Sequence, residues 1–215
     1  MTAGESFRCP KCGVARQTLG SADYCPACLL ASALVSDEGE SCPYQVLAPM
    51  AEDARGVTYL AQPLVSPRAH VALKVYARCD DVDGAIARYR RWRPALERLR
   101  HSSIGRVLQA GAAPDGCLYV ATEYIPGRLL ATPGVAAAIG ADGRAAIARQ
   151  LTEALGAAHA AGLVHLKLDP SKIKVSAAPA PRATILGLGV ALVVDGADGD
   201  RDLDRRALAA ILADL

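Results

Sequence analysis

The chain has 215 residues, with 24 Lys and Arg against 22 Asp and Glu, and a net charge of +2 favours neither nucleic acid nor a membrane surface. Hydrophobic residues make up 52%, but alanine supplies 43 positions and aromatics only 4%, which excludes wholesale disorder while leaving the core thin per residue. No apolar run reaches the roughly 18 residues of a spanning helix, Ala183 to Val194 being stopped by Asp195, and MTAGESFRCP lacks an apolar signal core, so a soluble cytoplasmic protein is expected.

The first 40 residues carry two Cys-x-x-Cys turns, Cys9-Pro-Lys-Cys12 and Cys25-Pro-Ala-Cys28, twelve residues apart. Each turn can aim two thiolates at one ion, and four soft ligands close a tetrahedral zinc site with no open position for catalysis. Gly13 permits a tight knuckle, and Pro10 and Pro26 stiffen the turns. Two disulfides or four buried thiols are the alternatives, and the seven cysteines without a signal segment weigh against a disulfide framework. The segment resembles a zinc ribbon whose folding free energy comes mostly from structural zinc bound by Cys9, Cys12, Cys25 and Cys28. Leu29, Leu30 and Leu34 follow at helix-like spacing, and Ser36 to Ser41 reads as a polar linker. Cys42, Cys79 and Cys117 have no ligand spacing and are expected as buried thiols.

Beyond residue 43 the pattern changes to strands: Tyr44 to Leu47, Val57 to Ala61, His70 to Ala77, Ile104 to Leu108 and Cys117 to Thr122. A helix is predicted between the third and fourth, opening at the acidic Asp80, Asp81 and Asp83 and kinking or restarting at Pro94. A long helix is predicted from Arg144 to Ala160, with Ile147, Leu151, Ala154, Leu155 and Ala158 on one face and a stop at Gly162. Two short strands, Ile173 to Val175 and Thr184 to Leu186, and a last helix from Asp202 to Leu215 complete the order.

Several words along this order resemble the bacterial Ser/Thr protein kinase domain. Val71-Ala72-Leu73-Lys74 is similar to the third-strand motif, and Leu118 to Gly127 to the fifth strand and hinge. Gly162 to Lys172 matches the catalytic loop in length and frame, and Asp204 to Leu215 resembles the core helix whose first Asp ties that loop down. The resemblance implies an α+β, protein-kinase-like fold, with a five-stranded antiparallel sheet plus helix over residues 41–123 and a truncated, mainly helical part over 124–215. Residues 1–40 form the ribbon and linker. It also implies a relic nucleotide cleft at Lys74, Gly56, Thr122, Glu123 and Ile125.

The residues that would perform phosphoryl transfer are absent from these words. The glycine-loop frame reads Ala51-Glu52-Asp53-Ala54-Arg55-Gly56, with two carboxylates where phosphate charge should sit. The helix position that should pair with Lys74 falls on Trp92, which is expected to fill the core instead. In the catalytic loop His165-Leu166-Lys167-Leu168-Asp169-Pro170-Ser171-Lys172, the catalytic Asp has become Lys167 and the magnesium-binding Asn has become Lys172. An ammonium does not accept a substrate proton near neutral pH, nor does it ligate a cation. The metal-binding D-F-G reads Gly187-Leu188-Gly189, and 14 residues separate Gly189 from Asp204, too few for an activation loop.

The expectation is therefore a pseudokinase with no catalytic residues, holding zinc rather than ATP and magnesium, and binding partner proteins as a scaffold or regulator. A partner or a second copy is expected where further lower-lobe helices would pack. Two alternatives stand beside it. One is a rewired ATP-binding kinase, because Lys167 and Asp169 exchange the usual charges and Asp169 could serve as base. The other is a zinc-ribbon nucleic-acid binder using Arg88, Arg90, Arg91, Arg93, Arg98 and Arg100, for which a solvated helix face is the plainer account. His101, His159 and His165 are expected as packed, hydrogen-bonded residues, and Asp204 as a loop anchor.

Overall fold

The computed structural model describes residues 17–19, 22–24, 42–66, 69–77, 79–113, 115–176, 180–197 and 199–215. Packing groups the chain into two compact units, Met1–Val82 with Ala110–Ala121, and Asp83–Gln109 with Thr122–Leu215. The ribbon cysteines Cys9, Cys12, Cys25 and Cys28 lie outside the described residues. Between the two cysteine pairs, β1 (Gln17–Leu19) and β2 (Ala22–Tyr24) form an antiparallel hairpin.

The first unit is organised by a five-stranded sheet in the order β3-β4-β5-β7-β6. Its strands are β3 (Tyr44–Asp53), β4 (Gly56–Pro63), β5 (Val71–Tyr76), β6 (Val107–Ala112) and β7 (Leu118–Glu123). On β5, Val71, Leu73 and Val75 are buried while Ala72 and Lys74 are half-buried, the period of two that gives a strand one core face. Tyr59, Ala61, Leu118 and Val120 complete that core, and Tyr44 meets Tyr119 edge-on at 6.2 Å. The outer strand β3 carries two register shifts and Pro49, devices that discourage pairing along an exposed edge.

Gly56 opens β4 with φ +143°, and a Cβ there would lie 2.0 Å from the Val75 carbonyl oxygen, so no other residue fits the approach to β5. The expected glycine loop is thus a tight hairpin: Asp53 pairs with Gly56 in register, and only Ala54 and Arg55 turn the chain.

The second unit opens with helix α1 (Val82–Arg98), which continues through Pro94 without a restart. Leu99 still bonds back to Ala95 past the proline, so the last turn closes. The Arg88 Nε donates to Val193 O at 2.9 Å, and Leu96 packs where a Cβ on Gly189 would stand, 2.8 Å away. Trp92 is half-buried with Arg91 stacked at 5.8 Å, rather than filling the core as expected.

Helix α2 (Ala141–Ala160) buries Ile147, Leu151, Ala154, Leu155 and Ala158, the face that the periodicity predicts. A small sheet in the order β10-β9-β8 packs nearby, made of β8 (Arg128–Leu129), β9 (Ile173–Ser176) and β10 (Arg182–Ile185). Ile104 joins Ile185 in a bridge instead of starting the strand predicted at 104–108, which begins at Val107. Helices α3 (Val190–Val194) and α4 (Arg201–Ala213) close the unit, with Leu208 and Ile211 buried in one cluster with Ile147, Leu151 and Ile173. Of the three cysteines expected as buried thiols, Cys42 is buried, whereas Cys79 and Cys117 are half-exposed. No helix among the described residues is long and apolar enough to cross a membrane.

Two glycines separate crowding from helix propensity. Gly56→Ala should cost at least about 2 kcal/mol, whereas Gly156→Ala, on an exposed turn of α2 with open space around it, should gain about 0.5–1 kcal/mol. Urea midpoints of the two variants against the parent chain check both signs.

Candidate functional site

Each unit carries its own share of the landmarks, and the first is Lys74. Strand pairing sets Lys74 opposite Thr58, and Thr58 opposite Ala51, which brings the end of β3 within diagonal reach across β4. Asp53 uses that reach: its Oδ2 accepts a short hydrogen bond from the Lys74 ammonium, and its Oδ1 accepts from the Arg55 N–H at 2.9 Å. The ring of buried Tyr76 lies 5.5 Å from Lys74 Nζ and 5.4 Å from the Arg55 guanidinium, adding cation–π attraction to both. The carboxylate that neutralises Lys74 therefore comes from the hairpin in the glycine-loop position, not from a helix. Gly56 is held by backbone crowding.

In the second unit the geometry centres on Asp204, fully buried at 0% exposure on the first turn of α4. Its Oδ2 accepts from the His165 backbone N–H at 2.7 Å and from His159 Nε2 at 2.9 Å, and its Oδ1 accepts from the Leu166 N–H at 2.7 Å. Three donors on one carboxylate pin the loop to α4 and α2. Leu166 sits at φ +65°, a left-handed conformation that costs a non-glycine residue free energy and that the Asp204 bonds offset.

His165 extends the network. Its Nε2 donates to the Leu186 carbonyl at 2.8 Å and its Nδ1 accepts from the Lys167 N–H at 3.3 Å, which makes it a neutral imidazole. Burial pushes its pKa below the ordinary histidine value, outweighing the carbonyl bond and the Asp204 charge. It is a structural histidine, in the role expected of it.

The polar side chains that follow His165 on this loop are engaged locally. The Lys167 ammonium pairs with Asp195 at 2.6 Å. Asp169 Oδ1 accepts from the Ser171 N–H at 2.6 Å and caps the 3-10 turn Pro170–Lys172. Gly187 contributes no ligand, and Leu188 is 2% exposed in the core cluster. Among the described residues no group of three His, Cys, Asp or Glu could hold a metal ion.

The hinge residues are placed in the same unit. Glu123 donates its N–H to Arg106 O at 2.9 Å, and its Oε2 accepts from Arg106 Nε at 3.4 Å. Thr122 and Ile125 are half-buried, and Ile125 packs beside Gly105. Of the arginine group, Arg88 turns inward and donates to Val193 O and Val194 O, the last carbonyls of α3, while Arg90, Arg91, Arg93, Arg98 and Arg100 are exposed. The Arg88 cap was not legible beforehand, since α3 itself was missed inside an apolar run.

Two carboxylate contacts of similar length should behave differently. Asp204→Ala strands three buried donors and should cost at least about 3 kcal/mol, whereas Lys167→Ala, on a pair whose lysine side chain is 52% exposed, should cost under about 1 kcal/mol. Chemical denaturation of both variants decides it. The unfolded chain binds the proton that buried His165 refuses, so stability should fall as pH drops below the 6.5 of a free imidazole. His165→Gln should flatten that slope between pH 7.5 and 5 by up to about one proton.

No family model matches the chain. The serine/threonine-protein kinase pkn3 of Myxococcus xanthus is 32% identical over 171 residues, covering 75% of this chain and 30% of its own length. The kinase pkn2 of the same organism is 30% identical over 159 residues, 71% of this chain and 18% of its own. The chain thus spans less than a third of either relative. Among solved structures, the PknI kinase domain of M. tuberculosis superposes with a TM-score of 0.61 at 26% identity, over 80% of this chain and 71% of that one. Sequence and fold agree: the chain is related to bacterial Ser/Thr protein kinases and has a protein-kinase-like fold.

Proposed function

We propose that the protein is a pseudokinase, a protein-kinase-like chain without phosphotransfer activity that serves as a protein-binding scaffold or regulator in the cytoplasm. The observation that carries this reading is the Lys74–Asp53 pair. The lysine that would meet nucleotide phosphate is neutralised by the chain's own hairpin, and that same hairpin replaces the phosphate cradle. The replacement of the base and both metal ligands by Lys167, Lys172 and Gly187 supports it independently. A rewired kinase with Asp169 as base is disfavoured, since that carboxylate is committed to capping Ser171. Residues 1–40 are read as a structural zinc ribbon, followed by kinase-like parts over 41–123 and 124–215.

Radiolabelled ATP with magnesium or manganese and a generic protein substrate should give no transfer above a Lys74→Met control; reproducible, Lys74-dependent transfer would overturn the reading. Metal analysis of the purified chain should find one zinc, lost on Cys9→Ser with Cys25→Ser, and a zinc content unaffected by those substitutions would remove the ribbon.

A further inference from the structure

We propose that the outer face of α1 is a docking surface for a short acidic segment of a partner protein. By the α-helical repeat, Ala87, Arg90, Arg91, Pro94 and Arg98 fall on one side of the helix, opposite the buried Ala85, Tyr89 and Leu96, and all five are exposed. Arg98 Nε donates to Pro94 O at 3.1 Å, which lays its guanidinium back along that side, and exposed Arg100 follows just after the helix.

These charges are not answered by carboxylates of the protein. Among the described residues, Arg90, Arg91, Arg98 and Arg100 take part in no ion pair, whereas Arg93 holds Glu97 at 2.6 Å. Arg91 stacks on the Trp92 ring at 5.8 Å. Like charges gathered on one side repel each other, and an anionic partner relieves that repulsion. All four are arginines, whose planar fork meets a carboxylate with two parallel hydrogen bonds.

The dimensions favour a peptide over nucleic acid. Arg90 to Arg98 covers about 12 Å of helix axis, which an extended peptide crosses in about four residues. On the same side, Asp83 stands about two turns before Arg90 and Glu97 stands beside Arg98, so carboxylates bound the positive stretch. A nucleic-acid strand, with a phosphate roughly every 3.4 Å, would carry its charge on past them, whereas an acidic peptide can end within the stretch. Ala87 and Pro94 add apolar surface among the arginines for the peptide's uncharged side chains. The surface lies wholly in the second unit. It gives the scaffold reading a partner chemistry and rests on that reading for the partner being a protein, but its test involves no phosphotransfer, so the two can fail separately.

Fluorescence anisotropy of the full chain with a short labelled peptide of alternating Glu and Leu tests it, beside a labelled oligothymidylate of equal charge. Saturable peptide binding is expected, weakened by salt and weakened about fivefold or more in Arg90→Gln with Arg91→Gln. Arg205→Gln with Arg206→Gln removes the same net charge from exposed positions on α4 and should leave the affinity unchanged. Arg100→Gln, beyond the end of the helix, gives the same readout at about twofold if the double variant on α1 loses its fold. No saturable peptide binding, equal losses in the α1 and α4 variants, or tighter binding of the oligothymidylate would each overturn the proposal, the last in favour of nucleic acid.

Discussion

A single buried carboxylate sets the geometry of the second unit. Asp204 is fully buried, and its carboxyl group is tolerable there only because three N–H groups from two other segments converge on it. The reverse dependence is equally strong. The loop at 165–166 adopts a left-handed step that its sequence does not favour, and the Asp204 bonds hold it there. Through His165 and the Leu186 carbonyl the constraint passes on to the Gly187–Gly189 segment, so one acid orders three stretches of chain far apart in sequence.

None of this scaffolding depends on catalytic side chains. Lys167 and Asp169 sit on the pinned loop, yet each is neutralised or capped by its neighbours, Asp195 and the Ser171 N–H. The first unit follows the same logic, since Lys74 keeps its place on β5 and finds its counter-ion on β3. In both units the charged side chains of these segments are answered by partners within the same unit.

Much of this was legible in the sequence because it rests on periodicity and on spaced polar words. The apolar face of α2 is of the first kind, repeating every three or four residues, and the Asp204 anchor is what the resemblance of its helix to the kinase core helix implies. What escaped depends on pairing between distant segments. Asp53 was read as a charge facing phosphate, because nothing local says that strand register delivers it to Lys74. Pro94 suggests a kink or a restart, and of these the restart does not occur: the helix continues through it and Leu99 bonds back to Ala95. The five-residue α3 was hidden in an apolar run with no cap signal of its own, its C-terminal carbonyls being met by Arg88 from another helix.

Gly56 bears on how divergence in such proteins can be read. It is the one glycine kept from the phosphate-loop frame, and in a comparison of sequences it would count as a vestige of nucleotide binding. Its neighbours give it a different reason to persist: the Val75 carbonyl leaves no room for a methyl group. Selection for folding alone would retain it whether or not a ligand is bound nearby. The position that differs in kind is residue 53, where a carboxylate pairs with Lys74 for reasons of charge rather than of space.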